Sequence, residues 1–160
     1  MKLLVLSVGR LKAGPERELF DRYAKRASGL AQSVGVASVE FREFDESRAK
    51  GAEERRAAEA KALLEAAPKG ASACALDERG AALTSPDWAE DMARARDGGA
   101  PAYVVFIGGP DGLDASVRAA ARRTIAFGAV TWPHQLVRVM AAEQIYRCFT
   151  ILAGHPYHRA

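Results

Sequence analysis

Two stretches of this chain, Lys2–Val8 and Ala102–Ile107, are apolar nearly throughout, with no alternation of polar and apolar residues. A strand carries that pattern where both of its faces are covered, as in a parallel sheet packed between helices. The intervening sequence supplies the helices. Pro15–Leu30 places Leu19, Phe20, Tyr23 and Ala27 at helical spacing. Residues 52–67 are rich in Ala, Glu, Arg and Leu and are stopped by Pro68. Ser85 is expected to cap a third helix, with Pro86 at its first position and Gly98 and Gly99 at its end. A short helix is expected over residues 116–123, and Pro133 opens a long one that reaches about Leu152 before Gly154. Further strands read at 36–44, where period-two polarity marks a more exposed position, at 71–76 before a turn over 77–80, and at 124–127. The order βαβαβαβαβα predicts the α/β class, a mostly parallel sheet flanked by helices in a single domain over residues 1–160.

A hydrophobic share of 49% and a charged share of 27% fit a soluble globular protein and exclude a disordered one. No stretch approaches the roughly 18 apolar residues of a membrane span. The opening segment, with one basic residue before a short apolar run, reads as a strand and is too short for a signal peptide. Cys74 and Cys148, one in an apolar run and one in a helix, read as reduced, buried cysteines of a cytoplasmic protein. Charge is unevenly placed: residues 1–100 hold 17 basic and 17 acidic side chains, whereas residues 101–160 hold six arginines and three carboxylates. An arginine-only excess suits a phosphate-bearing partner, although a small net charge also fits an ordinary solvated surface.

The loop after the first strand, residues 8–14, has neither the dinucleotide fingerprint nor a phosphate loop. The glycines instead follow the fourth strand as Ile107-Gly108-Gly109-Pro110-Asp111-Gly112, at the carboxyl end where open α/β sheets bind ligands. On these residues alone the loop is either a tight turn or a close approach to a ligand. Likewise, the small, mostly apolar segment 127–132 either packs in the core or offers backbone groups to an adenine edge. His134 reads as a cap or packing residue, and Glu143 with Arg147 as a structural i,i+4 pair. The tail Pro156-Tyr157-His158-Arg159 combines stacking, proton-transfer and phosphate-binding groups. His155 and His158 lack a nearby Cys or carboxylate to complete a metal site, and no G-x-S-x-G elbow occurs.

Taken in order, four motifs resemble the RlmH family, the SPOUT-class large-subunit ribosomal RNA pseudouridine N3-methyltransferases. They are Ile107-Gly108-Gly109-Pro110-Asp111-Gly112-Leu113, Thr131-Trp132-Pro133-His134-Gln135-Leu136-Val137-Arg138, Glu143-Gln144-Ile145-Tyr146-Arg147 and Pro156-Tyr157-His158. The likeness spans the chain in length and element order, while the first hundred residues match mainly in pattern. It implies a carboxyl-terminal trefoil knot, against the general rarity of knots, and a homodimer. It also implies S-adenosylmethionine as cofactor, held by Leu76, Gly108, Phe127, Gly128, Ala129, Val130, Thr131 and Trp132, with Trp132 standing where smaller apolar residues or Phe are common. The implied reaction methylates N3 of a pseudouridine in large-subunit ribosomal RNA, on the ribosome, with no metal and no membrane. Tyr157 and His158 are the implied catalytic candidates, and Arg138, Arg147 and Arg159 the implied RNA contacts, one subunit's tail completing its partner's site. Two alternatives remain: a non-catalytic RNA- or ribosome-binding dimer of the same fold, and a flavodoxin-like nucleotide enzyme, which the missing glycine fingerprint disfavours.

Overall fold

In the computed structural model, which describes residues 1–158, the two apolar runs are β1 (Lys2–Val8) and β4 (Ala102–Ile107), paired side by side in the middle of one sheet. With β2 (Ser38–Phe44), β3 (Ser72–Ala82) and β5 (Arg123–Ala126) the order is β2-β1-β4-β3-β5, and every pairing is parallel. The half-exposed β2 lies at an edge, as its alternation predicts. Four helices connect the strands, α1 (Pro15–Leu30), α2 (Ala52–Ala66), α3 (Ser85–Asp97) and α4 (Ala115–Ala120), and α5 (His134–Leu152) follows β5.

Successive side chains of a strand face opposite ways, so β1 and β4 feed two cores. Leu3, Val5, Tyr103 and Val105 pack with Trp88 and Met92 of α3 and with Ile145 and Phe149 of α5. Leu4, Leu6, Val104 and Phe106 pack with Ala60 and Leu63 of α2 and with Val117 of α4. The result is a sheet covered on both faces, which accounts for the unbroken apolar runs. Both cysteines are free and buried, and burial pushes the Cys74 thiol up to about 12.

Three local expectations are corrected. Thr84, not Ser85, caps α3: its hydroxyl oxygen accepts the Asp87 amide at 3.2 Å, while the Ser85 hydroxyl donates to Gln144 on α5. The helix expected over 116–123 ends at Ala120, because Ala121 is extended and the Arg122 amide donates to Ala73, starting β5 one residue early. The turn over 77–80 does not end its strand. Leu76 and Ala81 both pair with Ile125, so the four residues between them form an excursion and β3 then resumes to Ala82. Gly80 permits this crossing, since a Cβ there would sit 2.5 Å from the Ile125 carbonyl carbon.

Candidate active site

The carboxyl ends of β3, β4 and β5 open into a cleft of about 770 Å³. Leu76 and Ile107, where the β3–β4 ladder ends, and Ala126, the last residue of β5, form its floor, and Phe127 and Val137 add apolar wall. Over this floor stand three loops: the β3 excursion, the glycine turn after β4, and the segment between β5 and α5. Such a crevice outside the carboxyl ends of parallel strands is the usual ligand site of an open α/β sheet.

The three loops are tied to one another and to the scaffold. In the glycine turn, Asp111 accepts from Arg55 of α2 through both oxygens, at 2.6 and 3.0 Å, and the guanidinium holds the Asp111 carboxyl below its ordinary value. Arg118 donates to the Leu113 carbonyl and to Asp77 at 3.3 Å, joining the glycine turn to the excursion. Thr131 donates to Glu78 at 3.1 Å, joining the excursion to the third loop, whose Trp132 indole donates to the Phe127 carbonyl at 3.0 Å. Gly108 lies so close to the Gly112–Leu113 peptide that a Cβ would come within 2.7 Å of the Gly112 carbonyl carbon. The glycines therefore let the turn fold on itself first, and keep the floor open as a consequence. Burial raises the carboxyl of Glu59, which accepts the Ser47 amide at 2.9 Å beneath this turn.

Four carboxylates line the cleft, Asp77, Glu78, Asp111 and Asp114, and neither cysteine does. The site is built to bind and align. Arg56, Arg79 and Arg118 stand on the same lining, and Asp77 and Asp111 are paired with Arg118 and Arg55, so the cleft offers both signs of charge around an apolar floor.

Residues 1–158 match the protein family described as Predicted SPOUT methyltransferase. The chain belongs to the SPOUT methyltransferase family. Similar proteins include the ribosomal RNA large subunit methyltransferase H of Methylobacterium radiotolerans, 56% identical over 160 residues, covering 99% of this chain and 98% of that one. Those of Xanthobacter autotrophicus and Methylocella silvestris, of the same name, are 54% and 53% identical over 100% and 99% of each chain. The resemblance to the RlmH family is borne out along the full length. In fold, the chain is also similar to a crystal structure of a probable methyltransferase from Bordetella pertussis Tohama I, with 14% identity and a TM-score of 0.52 over 92% of this chain and 96% of that one.

Of the cofactor residues expected in a SPOUT methyltransferase, Leu76, Gly108, Phe127, Gly128, Val130, Thr131 and Trp132 all line the one cleft, and Ala129 lies exposed in the same loop without lining it. Arg138 requires correction as an RNA contact. It is 1% exposed, and its guanidinium donates to the Gly9 carbonyl at 2.9 Å and to Glu43, a site that no RNA reaches. Arg147 forms the expected pair with Glu143 at 2.6 Å and lies over the Tyr157 ring.

Tyr157 and His158 sit on a 3₁₀ turn, Pro156–His158, that folds back onto α5. The Tyr157 ring packs 4.6 Å from that of Tyr146, and its hydroxyl donates to Glu143 at 3.2 Å. Glu143 is nine residues along α5 from His134 at the cleft, roughly 14 Å at the helical rise. A chain's own tail thus lies away from its own cleft. Arg159 lies outside the described residues. Sequence reading missed Arg56, Arg79 and Arg118, which also line the cleft, because the excursion looked like a plain turn and α2 like a solvated helix.

Proposed function

We propose that this chain methylates N3 of a pseudouridine in large-subunit ribosomal RNA, with S-adenosylmethionine as methyl donor, as a cytoplasmic homodimer acting on assembled ribosomes. The observation that carries the reading is the convergence of the glycine turn and the 127–132 loop on one pre-tied cleft in a member of the SPOUT methyltransferase family. The names of the relatives support the substrate class. The cleft fits the donor: an apolar floor and small-residue loops for the adenine, and for its positive charge Glu78 and Asp114, which hydrogen-bond only neutral groups among the described residues. Leu76, Gly108, Phe127, Gly128, Ala129, Val130, Thr131 and the main chain of Trp132 are the proposed holders.

When bound, the donor supplies an electrophilic methyl group on sulfur. Transfer would leave the donor as a thioether and would require the N3 proton to pass to a base held at the site. Alignment of nitrogen, carbon and sulfur is the principal task of the walls, and proximity of this kind is worth several kcal/mol. Tyr157 and His158 are the proposed groups at the target base, reaching it from the partner subunit because a chain's own tail is held at Glu143. Arg147 and Arg159 are the proposed RNA contacts. Support for the shared site comes also from size: a chain of 17.2 kDa alone offers a small footprint for RNA. A knotted carboxyl-terminal segment is part of the same proposal.

The test is transfer of labelled methyl groups to purified large ribosomal subunits and to whole ribosomes, with the product nucleotide located by mass spectrometry. One methylated pseudouridine per ribosome is expected. Cofactor binding without transfer to any ribosomal substrate would replace this reading with that of an RNA-binding dimer.

A further inference from the structure

Large apolar side chains are seldom left in water beside a binding cleft, yet Val130 is 61% and Trp132 40% exposed at this one's mouth. Trp132 is not a loose side chain. Its indole N–H donates to the Phe127 carbonyl of the same loop, which fixes the ring while leaving much of it open. The same cleft is lined by Arg56 and Arg79, whose guanidiniums make no ion pair or side-chain hydrogen bond among the described residues. Their neighbours are committed elsewhere, Arg55 to Asp111 and Arg118 to Asp77. The lining acids are also engaged: Asp114 caps α4 and Glu78 accepts from Thr131.

A fixed aromatic ring beside free guanidiniums is how proteins take single-stranded nucleic acid, with bases stacked on the ring and phosphates run along the charges. We propose that Trp132 is a stacking platform for an unpaired base of the RNA substrate, and that Arg79 and Arg56 receive the phosphates of the same strand. This moves the Trp132 ring from cofactor wall to substrate contact, and it rests on the reading of the substrate as RNA. Stacking on a pre-fixed ring costs little ordering, because the hydrogen bond to Phe127 has already removed the side chain's freedom.

The experiment uses intrinsic fluorescence of the full-length protein. The chain has two tryptophans, and Trp88 is 2% exposed, so accessible emission reports on Trp132. Titration with single-stranded oligouridylate should quench that emission. Trp132→Ala should weaken binding of oligouridylate and of large ribosomal subunits about five- to a hundred-fold, a larger factor than any change in cofactor affinity, and Trp132→Phe should recover most of the loss. Arg79→Ala and Arg56→Ala should each lower the slope of log affinity against log salt by about 0.7. RNA binding without quenching would overturn the proposal. So would a Trp132→Ala protein that loses cofactor affinity and keeps RNA affinity, which would make the ring part of the donor site. An indole inaccessible to acrylamide in the free protein, with a monomeric Trp132→Ala variant, would make it a subunit contact. If the wild type quenches with oligouridylate but methylates no ribosome, the platform stands and the proposed reaction falls.

Discussion

Glu43, on β2, is the residue on which the loop after β1, α1 and α5 converge. It accepts from the Leu11 amide at 3.2 Å, from Arg17 at 2.9 Å and from the buried Arg138, which also holds the end of β1 through Gly9. Burial opposes its charge, but the Leu11 amide, Arg138 and Arg17 outweigh that and keep its carboxyl below the ordinary value. A depressed acid contributes stability above its unfolded pKa, about 4.3, and that contribution is lost as pH falls through its folded value. Glu43→Gln should therefore cost about 3 kcal/mol at neutral pH, because it strands the Arg138 charge in the core. Urea unfolding across pH should show the difference from wild type shrinking below about pH 4. Arg138→Met, which leaves Glu43 with Arg17 and Leu11, should cost less than Glu43→Gln. The opposite ranking would show that Arg17 does not sustain the carboxylate.

Among the elements, β3 and the glycine turn depend on close backbone contact and not on side chains. Gly80 and Gly108 have no room for a Cβ against neighbouring backbone, whereas Gly112, at φ +79°, has open space around it and only its conformation to defend. Gly112→Ala should then cost about 1 kcal/mol, and Gly80→Ala and Gly108→Ala clearly more, since main chain must move. Denaturant midpoints decide the ranking. Loss of cofactor binding in a Gly108 variant would thus report a deformed turn as much as a filled pocket. Gly128, at φ +98° with nothing near, is the better probe of the pocket itself. The turn-like composition of Asp77-Glu78-Arg79-Gly80 was legible, but its rejoining of the ladder at Ile125 was not, because that depends on a strand some forty residues later.

For the whole molecule, the expected mass by light scattering is about twice 17.2 kDa. A monomer active on ribosomes would end the shared-site reading. The tail does more structural work than its composition suggests: Tyr157 fills a place among Tyr146, Arg147 and Glu143, where burial and its neighbours raise its phenol pKa. Deleting residues 156–160 should lower the melting temperature by a few degrees, consistent with a loss of about 1 kcal/mol, and abolish transfer. Tyr157→Phe should keep the stacking, lose only the hydrogen bond to Glu143, and separate the tail's packing from its chemistry. Unchanged transfer by the truncated protein would remove the tail from the mechanism.

Periodicity along the chain was enough to establish the class, the strand count and the position of the glycine turn, because burial on two faces leaves a one-dimensional mark in runs such as Lys2–Val8. The ordered motifs of residues 107–158 were enough to point to the family. Strand order, the cross-ties among Asp77, Arg118, Glu78 and Thr131, and the burial of Arg138 were decided only by tertiary packing. An arginine in a helix has the same sequence signature whether it faces RNA or a glutamate on another strand. Only the folded chain, bringing Glu43 to within reach of a residue 95 positions away, made Arg138 part of the core.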